Sequence, residues 1–442
     1  MKKLDATWFP TYAHLLHIVG ETYDLLDPSP SILATQRAKF EASHYTISPD
    51  LVADKPHIST LKTAREDAEQ LRSRIMTEET ITLVRDAYIP ALDSLLLNIQ
   101  LIMAGATGDM ESYRSASEQL YGQPNRTIFD AACAWIRDDA LATAMGHSPL
   151  LTKLRDDVLE AIPHITADHH ILVPSEATFA AVKQSHADYY MKLFGSDGIP
   201  NEPYIDEDTG NEICRRVLAN IGSDYTLAPS DNNLWAILPS HKQVVYPTGY
   251  RLDRDEFVGI VCHEIGSHVL ESVNGSNSPL QLLSSGLAGY EKGNEGRAFL
   301  REQIVYPHEC TFLRQFSWEY IVLLHISVSF AAGLNGQPYD FARLYDVLYK
   351  LYYFWRERRE PRATNNEAFA RQEAWYQAVR ILKGTLGNGS AAYLKDTVYL
   401  EGNVRCWQLA TDDPSVILLG DLGKFDLTNQ FHRAFALSLA PY

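Results

Sequence analysis

Apolar side chains at Trp8, Tyr12, Leu15, Leu16, Val19, Tyr23 and Leu26 recur every three or four residues, the spacing of one face of an amphipathic helix. The same period predicts helices over 60–77, 79–103, 110–121 and 128–144, with Pro90 as a kink in the second. Their Leu and aromatic stripes read as packing faces. Farther along, β-branched and aromatic residues flanked by Pro predict short strands near 169–174, 234–239 and 243–247. Phe257, Val258, Ile260, Val261, Val269 and Leu270 then return to helical spacing. Asp253 and Glu256 form a D-x-x-E cap before that run, and Asn274-Gly275 reads as its stop. The pattern describes a predominantly helical α+β chain with a small β-sheet. A helical region over 1–150 is expected to pack on a second domain over 151–442.

Composition narrows this picture. A 45% hydrophobic share with 11% aromatics in 442 residues supplies a large core, and no Gly/Ser- or Pro-rich linker divides the chain. The net charge of −17 argues against nucleic acid or an anionic membrane as partner. The apolar run Ile321 to Leu334 is too short to span a bilayer, and no apolar h-region follows Met1-Lys-Lys-Leu-Asp-Ala. Five cysteines (Cys133, Cys214, Cys262, Cys310 and Cys406) are scattered without C-x-x-C spacing, which suggests reduced thiols and a cytoplasmic protein. Asp206-Glu-Asp-Thr-Gly-Asn-Glu212 lacks the alternating ligand order of a calcium loop and reads as a solvated turn. The glycine-rich turn Gly384-Thr-Leu-Gly387-Asn-Gly389 is not preceded by a Rossmann-like strand.

The chemistry is concentrated at His263-Glu-Ile-Gly-Ser-His268, near the middle of the capped apolar helix. In H-E-x-x-H zinc peptidases both His face one metal and the Glu activates its water. Here one residue more separates the His. On an ideal helix they would stand roughly 140° apart, against roughly 40° for the shorter motif, so one ion could not take both. A local widening of the π type would realign them, and Gly266, a poor helix former, is where the distortion is expected. Three ionisable groups in a buried helix are costly unless they have a shared use.

A catalytic zinc has three protein ligands and one open position. The next helical stretch, Asn294-Glu-Gly-Arg-Ala-Phe-Leu-Arg-Glu302, opens with Glu295, the expected third ligand, with Glu291 as competitor. Glu302, two turns on and on the same face, is placed to hold a ligand imidazole. His169-His170, His308-Glu309 and His325 lack ligand-spaced partners and read as satisfied or exposed.

These runs, together with Gly286-Leu-Ala-Gly-Tyr290, resemble the tyrosine/phenylalanine carboxypeptidase domain, a family that includes microtubule-associated tyrosine carboxypeptidases and bacterial QEGLA-motif proteins. Shorter similarities occur at Leu25-Leu-Asp-Pro28, Arg37-Ala-Lys-Phe40, Leu120-Tyr-Gly122, Arg380-Ile-Leu-Lys-Gly384 and Leu394-Lys-Asp-Thr-Val-Tyr-Leu-Glu-Gly402. The resemblance implies a zincin-like core over 151–442 and one zinc ion per chain. It implies His263, His268 and Glu295 as ligands, Glu264 as base, and release of a C-terminal Tyr or Phe from a peptide or protein. It also points to Tyr399 as oxyanion donor and to Arg380 and Lys395 as cations for the terminal carboxylate. Asn294 and Arg297 depart from the family's Gln and Leu, so the pocket wall beside Glu295 is expected to differ.

An extended substrate would add to a sheet edge, for which Leu234-Trp-Ala-Ile-Leu-Pro239 is the candidate. The acidic balance of the chain makes acidic tubulin tails an unsuitable substrate. Two other readings are an endo- or aminopeptidase with the same metal centre, and a non-enzymatic regulator stabilised by metal. The sequence carries no signal for an oligomeric state.

Overall fold

The computed structural model describes all residues except 1–2, 24–25, 53–57, 144–147, 197, 231–233, 309–315 and 440–442. Leu25, Glu309 and Cys310 therefore lie outside the described residues. The chain is predominantly helical, with two small sheets.

The N-terminal periodicity forms the expected helices. Phe9–Tyr23 buries Tyr12, Leu15 and Val19, with Trp8 just before it. Ile58–Glu78, Thr82–Thr107, Met110–Tyr121 and Arg126–Ala142 follow. The last two are capped by Asp109 and Asn125, whose side chains accept from Ser112 and Ile128 backbone N–H groups. Pro90 is accommodated inside Thr82–Thr107. This helix, and not 321–334, has the length and composition of a membrane span. Its apolar side chains Leu92, Leu95, Ile99 and Ile102 are buried against neighbouring helices, as in the inner helix of a bundle.

The N-terminal segment is fastened to the rest of the chain by a buried acid. Asp5, fully buried, accepts from Tyr88 Oη at 2.9 Å and from the backbone N–H groups of Gln281 and Leu282 at 3.0 and 2.9 Å. Leu4 N–H donates to the Pro279 carbonyl at 2.8 Å. This turn leads into the loop before Glu295, so the N-terminal segment is tied to the approach of the Glu295 helix.

Strand β1 (Tyr204–Asp206) pairs antiparallel with β5 (Arg251–Asp253). The other sheet has β4 (Gln243–Pro247) at its centre, parallel to β2 (Thr226–Ser230) and antiparallel to β3 (Ala236–Leu238). The expected edge segment does contain an edge strand, β3. Residues 169–174 do not form a strand. His169–Leu172 is a 3₁₀ turn capped by Asp168 and closed by Val173, whose N–H donates to the His170 carbonyl. The acidic run from Asp206 is a helix start rather than a solvated turn, because Asp206 caps Glu207–Asn220 through Thr209 N–H at 3.0 Å. A second apolar core, around Val244, Tyr246, Phe257, Val261 and Ile265, joins this sheet to the helix that carries the H-E-x-x-x-H motif.

Candidate metal centre

Asp253 caps the motif helix through Asp255 N–H at 2.9 Å, and Glu256 reciprocates at the Asp253 backbone. The helix runs in three continuous pieces. Arg254–His263 is α-helical, Glu264–Val269 is π-helical, and Leu270–Asn277 is α-helical again. The widening falls on the motif, with Gly266 inside it. A Cβ at Gly266 would meet Tyr189 Oη and Leu193 Cδ2. Side chains hold the widened turn: Ser267 Oγ donates to the Cys262 carbonyl at 3.0 Å, and Arg301 Nη1 to the Gly266 carbonyl at 2.7 Å. Asn274-Gly275 is not the stop, for the helix continues to Asn277. Gly275 serves close packing instead, since its Cβ would strike the Leu283 backbone.

The following helix is Glu291–Gln303, one turn longer at its start than the sequence suggested. It crosses Thr397–Asp412 at glycines: a Cβ on Gly296 would collide with the Gly402 backbone, and one on Gly402 with the Lys292 carbonyl. Gly402, in one of the family-like blocks, thus sets how deeply the Glu295 helix sits. Lys292 Nζ locks the crossing to buried Glu401 at 2.7 Å.

Three donor atoms converge between these helices. His263 Nε2 lies 3.8 Å and His268 Nε2 3.6 Å from Glu295 Oε2, and all three lie within 4.8 Å of one another. Ligands about 2.0–2.2 Å from a tetrahedral zinc stand about 3.4 Å apart, so this donor set fits such an ion after small adjustments. On the far side of the ring, His263 Nδ1 is 3.1 Å from Glu302 Oε2, the contact that the two-turn spacing suggested. An Nδ1–H donated to Glu302 leaves the Nε2 lone pair facing Glu295 and His268. Phe299 packs edge-on against His263, with ring centroids 4.7 Å apart.

The electrostatics match this grouping. Burial opposes charge on His263, but the Glu302 hydrogen bond and the carboxylates of Glu264, Glu302 and Glu295 outweigh it and raise its pKa from 6.5 to about 9. Burial likewise opposes charge on Glu295, yet His268 and His263 pull its pKa down to about 2. Glu264 moves the other way. Burial raises its pKa, with the two imidazoles opposing, the direction that suits a carboxylate acting as a base.

The remaining sequence candidates are spread around this centre. Tyr399 packs edge-on against Phe299 at 5.9 Å between centroids. Burial raises its pKa, and the Glu295 carboxylate adds to the rise. Arg380 sits behind Tyr399, donating to its hydroxyl at 3.2 Å. Its guanidinium is bidentate to buried Asp396, at 2.6 and 2.9 Å. The fork geometry that suited Arg380 to a peptide carboxylate is therefore engaged within the chain. Lys395 instead lines an open cleft of about 1050 Å³ beside the triad, and its charge lowers the pKa of Glu295.

Asn294 and Arg297 face away from the cleft rather than forming its wall. Both donate to buried Glu271 on the motif helix, and Arg297 also reaches Asp421 at 2.6 Å. The two departures from the family pattern are thus coupled: they share one carboxylate, which locks the two ligand-bearing helices together. Of the other histidines, buried His325 contacts Glu401 at 3.3 Å, His169 contacts Asp138 at 3.2 Å, and His308 contacts the Pro174 carbonyl at 2.9 Å. Cys262 is core, its pKa pushed up to about 12 by burial. Sequence reasoning missed Lys424. It lines the same cleft, burial lowers its pKa, and its backbone joins Leu283 to Leu287. Nothing local to the Gly423-Lys424 turn signals this.

Residues 200–317 match the family model of the microtubule-associated tyrosine carboxypeptidase, the family that the motif runs resemble. The match takes in all five strands, the motif helix and the Glu295 helix, and ends before the Arg380 and Tyr399 blocks. No curated protein matches the chain.

Proposed function

We propose that the chain is a zinc-dependent carboxypeptidase that releases a C-terminal Tyr or Phe from a peptide or protein. The observation that carries this reading is the convergence of His263 Nε2, His268 Nε2 and Glu295 Oε2 beside Glu264, inside the stretch that matches a carboxypeptidase family. Those three residues would hold the ion. Zinc bound there supplies a Lewis acid for the scissile carbonyl and acidifies its water toward neutrality.

Glu264 takes the proton from the attacking water and passes it to the leaving amine. Tyr399, oriented by Arg380, donates to the oxygen on which negative charge develops. Lys395 and Lys424 pair with the terminal carboxylate, a group that needs a cation once it leaves water. β3 is the edge on which the extended peptide is laid, giving a zincin-like core of edge strand and motif helix. A carboxypeptidase is favoured over a regulator with a structural zinc because such zinc is closed by four ligands. Among the described residues the cluster has three. The matched family is named for microtubules, but a net charge of −17 disfavours acidic tubulin tails, so a less acidic C-terminus is the substrate proposed.

The deciding experiment loads the purified chain with zinc and offers peptides ending in Tyr or Phe. Release of the terminal residue alone, abolished in Glu264→Gln, supports the reading. Cleavage at internal bonds or from the N-terminus overturns it.

A further inference from the structure

The cleft beside the triad is built by both halves of the chain. One wall comes from the helix Phe9–Tyr23, through Tyr12 and Leu16, and from Leu95 and Asn98 on Thr82–Thr107. The opposite wall is the loop Gly286–Tyr290 and Glu291. Asp224 and Lys242 beside the sheet, and Ser272, one turn beyond His268, line the same cleft. The cleft adjoins the triad through Ser272, Glu291 and Lys395, so a peptide whose terminal bond lies over the triad can direct its last side chain toward Tyr12 and Leu16.

That end of the cleft is apolar except for a few groups, and Glu291 is the acid among them. It lies one helical turn before Glu295, so the two side chains are neighbours on one face, about 5–6 Å apart at Cβ. The carboxylate of Glu291 is also near enough to Tyr12 to contribute to the raised pKa of that phenol. The catalytic scheme gives Glu291 no task. A partly buried carboxyl group lining this apolar end favours a ligand that brings its own hydrogen-bonding group, which a bare ring does not offer.

We infer that this end of the cleft receives the side chain of the residue to be released, and that Glu291 accepts a hydrogen bond from its phenol hydroxyl, selecting Tyr over Phe. The inference rests on the carboxypeptidase reading and adds to it a residue that sets specificity. The N-terminal helix becomes part of the substrate site, held in place by Asp5.

Two peptides differing only in terminal Tyr or Phe test the assignment, with kcat/KM measured for wild type, Glu291→Gln and Glu291→Leu. Wild type should favour Tyr by about tenfold or more. Glu291→Leu should bring the ratio to within about twofold of parity, and Glu291→Gln, which keeps an acceptor, should retain an intermediate preference. Calorimetric binding of N-acetyltyrosine and N-acetylphenylalanine reads the same preference without turnover. No preference in wild type, or an unchanged ratio in Glu291→Leu, overturns the assignment while leaving the carboxypeptidase reading intact. No release from either peptide, with N-acetyltyrosine still bound selectively through Glu291, would instead reject the carboxypeptidase reading alone.

Discussion

His263 Nδ1 meets Glu302 Oε2 at 3.1 Å while Nε2 of the same ring faces Glu295, seven residues earlier on the helix that carries both carboxylates. One helix thus holds both sides of one imidazole. Such a carboxylate–histidine pair fixes the ring's tautomer and strengthens it as a ligand. Glu302→Gln should therefore weaken zinc binding about 10–100-fold, in a chelator competition assay, with the fold kept. Unaltered affinity would show that packing against Phe299 alone orients the ring.

Separating ligand from base requires two readouts. Glu264→Gln should keep about one zinc per chain by elemental analysis and lose nearly all hydrolysis. His263→Ala, His268→Ala and Glu295→Ala should each lose metal under mild chelation. Glu291→Ala should keep it. If Glu291→Ala loses zinc and Glu295→Ala does not, the ligand set is wrong.

The spacing of the motif made this centre legible. A step of five residues from one His to the other excludes an ideal helix, so a widening was expected there, and Gly266 marked it. Glu302 followed from its two-turn step. What the sequence hid depends on contacts between distant segments. Asp421 lies over a hundred residues from its partners Arg297 and Arg301, and Asp396 takes up Arg380 from across a loop. A three-residue strand such as β1 or β5 has too few positions for a period of two to emerge, and both form only by pairing with each other.

Gly266 has an ordinary backbone conformation, so its role is steric. Gly266→Ala should destabilise the metal-free chain by about 1–3 kcal/mol in urea unfolding, the range for overpacking a tight site. Because the added methyl meets Tyr189 Oη, the double variant with Tyr189→Phe should recover part of the loss. Strict additivity of the two changes would place the constraint elsewhere.

Without metal, the triad should make stability depend on pH. His263 has its pKa raised from 6.5 to about 9, so its contribution is complete below 6.5 and lost as pH rises through about 9. Glu295 has its pKa lowered from 4.5 to about 2, so its contribution is present above 4.5 and lost as pH falls through about 2. Glu264, raised by burial, opposes Glu295 on the acid side, which leaves the alkaline limb as the cleaner measurement. Thermal unfolding of the chelated chain should show a falling midpoint between pH 6.5 and 9. His263→Gln should flatten that limb, and an equal slope in the variant would assign it to another group.

How the chain recognises a peptide end divides the lysines from Arg380. Peptides ending in free Tyr or Phe should be trimmed, and the same peptides amidated should not, because the terminal charge is what the cleft lysines pair with. Lys395→Met and Lys424→Met should each lower kcat/KM by about 2–5 kcal/mol equivalent, the range for leaving a buried charge unpaired, and erase most of the difference between acid and amide. Arg380→Lys breaks the bidentate pair with Asp396 and loosens Tyr399, so it should lower kcat for free-acid peptides while the acid-over-amide preference persists. If Arg380→Lys removes that preference and the two lysine variants retain it, the terminal carboxylate binds at Arg380. Equal trimming of acid and amide by the unaltered chain would instead make it an endopeptidase.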